Sequence, residues 1–215
     1  MSGGQTGRGR FITLEGGEGA GKTTLARALS ARLAAAGLPV LRTREPGGAP
    51  GAEALRGLLL SGGVAWDPVA EAMLMFAARR EHWVKTIRPA LAAGIWVVCD
   101  RFADSTLAYQ CHGHGLDPAI WRQLKQVALG EVAPDATLVL DLPPERGMAR
   151  ALSRGAAPDR IESLGSAFHA RVNAAFRAIA EAEPARCALL DAALPPDAVL
   201  DQAVAALRQR LGVAL

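Results

Sequence analysis

Gly16-Gly17-Glu18-Gly19-Ala20-Gly21-Lys22-Thr23 is the stretch on which the fold turns. It fits the pattern GxxxxGK[ST], a glycine-rich loop that wraps phosphate groups. Its flanks agree. Phe11 to Leu14 is a short run of β-type residues, and from Lys22 to Ala36 leucine and alanine recur at helical spacing until Gly37 stops the helix. Glycines let the backbone fold tightly enough for several N–H groups to converge on phosphate oxygens, and the following helix adds its positive end. In such a loop Lys22 reaches the β and γ phosphates and the Thr23 hydroxyl is a magnesium ligand. Gly16, Gly17, Glu18, Gly19, Ala20, Gly21, Lys22, Thr23 and Thr24 are therefore the expected ATP-binding residues. The loop alone does not separate kinases from GTPases, motor ATPases or partitioning ATPases.

Outward from the loop, short apolar runs alternate with helical periodicity. Strands are expected at Pro39 to Arg42, Ile95 to Cys99, Ala136 to Leu142 and Ala188 to Leu190. Helices are expected from Ala52 to Leu60, Val69 to Ala93 with Pro89 breaking it late, Ser105 to Gln110 and Pro118 to Leu129. Three more follow, from Pro144 to about Ser153, Ser163 to Ala182 and Pro196 to Leu211. This alternation predicts an α/β fold, a three-layer α/β/α sandwich around a five-stranded parallel sheet. With 215 residues and no internal repeat, one kinase-sized domain over 10–215 is expected behind a disordered lead-in at 1–9.

Half of the residues are hydrophobic, which supplies a core, and many are alanine, which favours close helix packing. The net charge of +3 suits anionic small molecules but lacks the clustered basic stripe that nucleic acid requires. Lys22, Lys85 and Lys125 are the only lysines, so a lysine inside the glycine loop stands out. Cys99, Cys111 and Cys187 show no CxxC spacing and read as free thiols in a reducing compartment. No apolar run is long enough for a membrane span, so a cytoplasmic protein is expected.

Open parallel sheets bind ligands at the carboxyl ends of their strands. Those ends carry Glu18, then Arg44-Glu45-Pro46-Gly47-Gly48, then Asp100-Arg101-Phe102 with Ser105, Thr106, Tyr109 and Gln110, and finally Asp141. An arginine beside an aspartate can hold a phosphate while the aspartate supports a magnesium shell, or the two can form a surface ion pair. Phe76 and Arg80, four apart on a helix, share a face. Together they can stack a base and hydrogen-bond its edge, although an aromatic at helical spacing, taken alone, reads as core packing.

The segments GGEGAGKTT (16–24), TREPGG (43–48), LMFAARR (74–80), DRFADSTLAYQ (100–110) and PDRIE (158–162) occur in this order along the chain. The chain thereby resembles the bacterial thymidylate kinase family from about Phe11 to the last helix. The resemblance implies a P-loop kinase that moves the γ-phosphate of ATP to dTMP with Mg2+, on the path to dTTP. It also implies a cytoplasmic homodimer with no nucleic-acid or membrane partner. By that resemblance Phe76 stacks on thymine, Arg80 bonds the base edge and Thr106 contacts the base. Tyr109 crowds the sugar 2′ position with Gln110 beside it, Ser105 joins the substrate-binding residues, and Arg101 binds the acceptor phosphate. Glu18 serves the 3′-hydroxyl region, Asp100 the magnesium or its waters, and Arg44, Glu45 and Pro46 shape the phosphate pocket. The family often carries an acidic residue or alanine where this chain has Arg79, which is expected to face outward.

Phosphoryl transfer requires positive charge on the migrating group. Positions 17–20 of the loop hold no arginine, so the charge is expected from elsewhere, and the segment over about 146–162 resembles the short helical lid of the family's type with lid-borne arginines. Arg150 and Arg154 share a face there, and Arg160 follows the Gly155–Pro158 stretch. Arg154 and Arg160 join Lys22, Arg101 and Asp100 as expected catalytic residues, whereas Arg146 reads as solvated. His112-Gly113-His114 lacks a third ligand and reads as a solvent loop. His82 and His169 have no partner visible in the sequence, and the four tryptophans read as packing. Two rival readings stay open: a kinase of another monophosphate such as dUMP or dCMP, and a P-loop switch ATPase.

Overall fold

The structure is a computed structural model that describes residues 8–61, 64–153 and 160–213. Five strands form a single sheet: β1 (Phe11–Gly16), β2 (Val40–Arg44), β3 (Trp96–Asp100), β4 (Ala136–Asp141) and β5 (Cys187–Asp191). They lie in the order β2-β3-β1-β4-β5, every neighbouring pair parallel. Parallel neighbours need crossovers, and here the crossovers carry helices. These are α1 (Lys22–Ala35), α2 (Pro50–Leu60), α3 (Pro68–His82), α4 (Arg88–Ala92), α5 (Ala103–Thr106), α6 (Pro118–Leu129), α7 (Pro144–Leu152), α8 (Ser166–Ala182) and α9 (Pro196–Leu211).

Side chains alternate across a strand, so each strand serves two cores. Ile12, Leu14, Val98, Leu138 and Leu140 pack with Leu25, Leu29 and Leu33 of α1 and with Val199, Ala203 and Leu207 of α9. Their strand neighbours Phe11, Val97 and Cys99 turn the other way, towards Phe76, Ile87 and Phe102. Val139 meets Val172 and Phe176 of α8 on that same side. Helices thus cover both faces, giving a three-layer α/β/α sandwich around a parallel sheet.

The structure redraws some boundaries. The helix expected over Val69 to Ala93 is capped by the Asp67 side chain, which accepts from Val69 N and Ala70 N. It runs only to His82, then widens into a π-helical turn, Trp83–Ile87, before α4. Pro89 sits within the first turn of α4, directly after that π-helical turn. The segment after β3 is also split, into α5 and a π-helical turn, Leu107–Gly113. That turn corrects the reading of His112-Gly113-His114 as a solvent loop, since Gly113 is buried and the His114 ring packs on Phe168 with centroids 4.7 Å apart.

The described cysteines are all free and buried. No helix among the described residues is long and apolar enough to cross a membrane.

Candidate active site

The carboxyl ends of β1, β2 and β3 open into two adjoining cavities. The larger, about 1050 Å³, is floored by the glycine loop and lined by Glu18 through Leu25, with Arg27, Asp100 and Arg150. The smaller, about 170 Å³, is lined by Pro46, Leu60, Met75, Arg79, Ser105, Thr106, Tyr109, Gln110 and Ile161. Glu18, Glu45, Arg56 and Arg101 line both.

In the loop, Lys22 Nζ donates to the Gly16 carbonyl at 3.1 Å and the Gly17 carbonyl at 2.7 Å. Gly16 and Gly17 thus hold the lysine from beneath, while Glu18, Gly19, Ala20, Gly21, Lys22, Thr23 and Thr24 face the cavity. Burial lowers the Lys22 pKa to about 8, with Arg101 adding to the effect and Glu18 opposing it. The loop rests on α7 through two glycines. A Cβ on Gly19 would lie 1.9 Å from the Gly147 carbonyl oxygen, and one on Gly147 would lie 2.3 Å from that of Glu18.

Thr23 Oγ1 donates to Asp100 Oδ2 at 2.8 Å, bringing the end of β3 against the start of α1. A hydroxyl and a carboxylate so placed are hard oxygen donors of the kind magnesium takes.

Arg101 is the junction. Its backbone is left-handed, φ 72°, an uncommon conformation for a residue with a side chain. Its N–H donates to the Leu14 carbonyl, the last rung of the parallel ladder between β3 and β1, so the left-handed turn begins where the sheet ends. Nη2 donates to Glu18 Oε1 at 2.6 Å and to Tyr109 Oη at 2.9 Å, while Nη1 donates to the Gly16 carbonyl and to Ser105 Oγ. The Tyr109 hydroxyl in turn donates to Glu18 Oε1 at 2.7 Å. Burial would push the Glu18 carboxyl up, but Arg101, Lys22 and that hydroxyl outweigh it and hold it at about 2. Burial works against the Arg101 cation too, yet Tyr109, Glu18 and Asp100 together raise its pKa above the ordinary value. Behind it, Ser105 Oγ donates to Glu15 Oε2 at 2.6 Å, and Phe102 N donates to Glu15 Oε1 at 2.8 Å. Burial, with Asp104 adding to it, raises Glu15 to about 7.

The pair chosen on α3 is corrected by one residue. Phe76 is 2 % exposed and belongs to the core beside Phe11 and Ile87, and Arg80 is exposed, donating to the Ala128 carbonyl of α6 at 2.9 Å. Neither lines either of these two cavities. Met75 and Arg79 do, and Arg79, expected to face outward, is 3 % exposed. Its Nε donates to Glu45 Oε2 at 2.6 Å, Nη1 to Thr106 Oγ1 at 3.1 Å and Nη2 to the Phe102 carbonyl at 2.9 Å. The physical reason is helical phase. Successive residues on α3 point about 100° apart, and the phase is set by packing against α2 and α6.

Ser105, Thr106, Tyr109, Gln110, Glu45 and Pro46 all reach the smaller cavity, whereas Arg44 faces the larger one and pairs with Glu53 at 3.2 Å. Arg56 of α2, missed in the sequence, donates to the Pro46 carbonyl at 2.7 Å and reaches both cavities. Nothing but its position after the TREPGG turn distinguished it from other helix arginines. Of the lid arginines, Arg154 lies outside the described residues. Arg160 does not line the larger cavity, because its Nη2 pairs with Glu71 Oε2 of α3 at 2.7 Å. Gln110 takes the other Glu71 oxygen at 2.8 Å, so Arg160 braces the wall behind the smaller cavity. Arg150 stands in the larger cavity, donating to the Ala192 carbonyl at 3.0 Å. Asp141 faces neither cavity and pairs with Arg177 at 2.8 Å.

With this geometry in hand, comparison with known proteins is direct. The sequence model of a family described as "Thymidylate kinase" matches residues 14–203. The chain is 50% identical over 209 residues to a thymidylate kinase of Bradyrhizobium diazoefficiens, covering 96% of this chain and 92% of that one. It is 52% identical over 211 residues to a thymidylate kinase of Caulobacter vibrioides, covering 96% and 99% respectively.

Proposed function

The chain belongs to the thymidylate kinase family, and from that footing we propose a division of labour between its two cavities. The protein phosphorylates dTMP with ATP, giving dTDP and ADP. In our reading ATP occupies the larger cavity and dTMP the smaller, and the γ-phosphoryl group crosses between them past Arg101 and Arg56. The single observation that carries this reading is the shared wall: both cavities are bounded by Glu18, Glu45, Arg56 and Arg101. A phosphoryl group passing that wall stays beside guanidinium charge throughout, which is the main requirement of the transfer.

Lys22 and the loop amides bind and orient the β and γ phosphates. Arg101 is pre-aimed by Glu18, Tyr109 and Ser105, so it spends little ordering entropy when it meets the acceptor phosphate. The Glu18–Tyr109 pair stands where a sugar would lie between base and phosphate. Met75, Leu60 and Ile161 give the base an apolar wall. Thr23 and Asp100 fit Mg2+ as hard oxygen donors, and the ion, when bound, supplies charge neutralisation to the phosphates. Arg154 and Arg150 are the lid-side cations we assign to the donor nucleotide. Arg160 we assign to supporting the acceptor side through Glu71.

We also infer a homodimer, formed on the α3–α6 face, where Met73 is 53% and Val127 84% exposed. Free buried thiols and nucleotide substrates favour work in the cytoplasm.

The test is ADP release with ATP and magnesium against dTMP, dUMP, dCMP, dGMP and AMP. Strong preference for dTMP is expected. Preference for another monophosphate would overturn the acceptor assignment, and indifference to all of them would leave a P-loop ATPase.

A further inference from the structure

His82 ends α3 fully buried, and both of its ring nitrogens are engaged. Nδ1 stands 3.0 Å from Glu45 Oε1 and Nε2 stands 2.7 Å from Thr43 Oγ1. A carboxylate only accepts, so Nδ1–H donates to Glu45, and the Thr43 hydroxyl, which can donate or accept, is the partner of Nε2. The other Glu45 oxygen takes Arg79 Nε at 2.6 Å. A continuous chain, Thr43–His82–Glu45–Arg79, therefore runs from β2 to the wall of the smaller cavity.

The local backbone is built around this chain. A Cβ on Gly48 would lie 2.3 Å from His82 Nε2 and 2.5 Å from Thr43 Oγ1, so only glycine lets the turn after β2 close over the ring. Thr86 Oγ1, one helical turn past His82, donates to the Gly48 carbonyl at 2.7 Å and fastens the turn down. Glu45, His82 and Cys99 also bring three possible ligand atoms within 4.8 Å of one another. Both histidine nitrogens and both Glu45 oxygens are already bonded, however, one of them to a guanidinium. The cluster is a hydrogen-bond chain, not a cation site.

Arg79 has five N–H groups. Glu45, Thr106 and the Phe102 carbonyl take three of them, leaving one on each terminal nitrogen for the cavity that Arg79 lines. We propose that His82 is a positioning residue for base recognition: it fixes Glu45, Glu45 fixes the rotation of Arg79, and that rotation aims the two remaining donors at the nucleobase. The proposal rests on dTMP occupying the smaller cavity. Donors so aimed favour an acceptor oxygen on the base edge, as in thymine, over the amino group that cytosine carries there. His82 touches no substrate, so its loss acts on acceptor binding and selectivity, with the transfer step spared.

The experiment is steady-state kinetics on the full chain for His82→Leu, His82→Asn and Thr43→Val, varying dTMP, dCMP and ATP in turn. His82→Leu is expected to raise the KM for dTMP by roughly ten- to a hundredfold and to narrow the dTMP:dCMP preference by a similar factor, leaving the KM for ATP unchanged. His82→Asn keeps a donor near the Nδ1 position and should restore most of both. Thr43→Val, which removes one hydroxyl from a strand, should move both the same way by about two- to fivefold. If His82→Leu does not fold, Thr43→Val and His82→Asn carry the same test. An unchanged preference in the variants, or equal rises in the KM for ATP and dTMP, would overturn the relay and leave the cavity assignment intact. A wild-type enzyme that does not prefer dTMP would sink the assignment itself, and the relay with it.

Discussion

The two cavities are made differently. The phosphate-facing floor of the larger one is backbone contributed by a single run of residues, 18–25, a glycine-rich loop leading into a helix that binds phosphate wherever it occurs. The smaller one is made of side chains from the glycine loop, α2, α3, α5, the π-helical turn Leu107–Gly113, the turns after β2 and β3, and Ile161, none of which forms a pocket alone. A backbone site is set by local sequence, whereas a side-chain site is set by helical phase and packing. That difference yields contrasting expectations for substitutions in each.

The largest effect should fall on the shared wall. Arg101→Ala is expected to lower kcat/KM for both substrates by roughly a thousandfold or more, since it removes charge beside the migrating group. Lys22→Ala should cut turnover by a comparable factor while equilibrium binding of dTMP, read by calorimetry, stays close to wild type. If Lys22→Ala weakened dTMP as much as ATP, the two cavities would not be separate in function.

Next is the contrast between Phe76 and Met75. Phe76→Ala empties a core site and should destabilise the fold by about 3–5 kcal/mol in chemical denaturation. Met75→Ala should cost much less stability yet raise the KM for dTMP. The reverse pattern would restore Phe76 to the base-binding role.

A smaller effect separates Glu15 from Glu18, two carboxyls three residues apart. Burial and Asp104 raise the folded-state pKa of Glu15 to about 7, so between roughly pH 4.5 and 7 the folded chain keeps a proton that the unfolded chain has lost. Its contribution to stability is therefore fully present below the unfolded value and is lost as pH rises towards 7. Relative to Glu15→Gln, the wild type should lose about 1–3 kcal/mol from pH 5 to 8. Glu18, held at about 2, has the opposite sign, and its contribution is lost only as pH falls below the usual carboxylate range. Parallel pH profiles for wild type and Glu15→Gln would contradict the raised value.

How much of this was legible in the sequence follows the same division. The loop, the five strands and the helices that cover them were readable because each depends on near-neighbour pattern, and α6 and α9 begin and end where the periodicity says. Asp100, Arg101, Ser105, Thr106, Tyr109 and Gln110 were readable as a set because one strand end and the turn after it carry them all. Arg79 against Arg80 was not. The two are adjacent and identical in type, and which one points inward depends on how α3 seats against α2 and α6. The ion pair of Arg160 was hidden for a related reason: its partner Glu71 lies 89 residues away on another element, and no local signal marks the pair. His82 looked unpartnered because Thr43 and Glu45 reach it only after β2 and α3 have packed.

The central claim, that acceptor recognition rests on Arg79, is tested most directly by calorimetric binding of dTMP to Arg79→Ala and Arg80→Ala side by side. The account predicts that Arg79→Ala weakens dTMP by roughly a hundredfold or more, since it removes charged donors from a buried wall, while Arg80→Ala stays within about twofold of wild type. Equal losses, or a larger loss at Arg80, would contradict it.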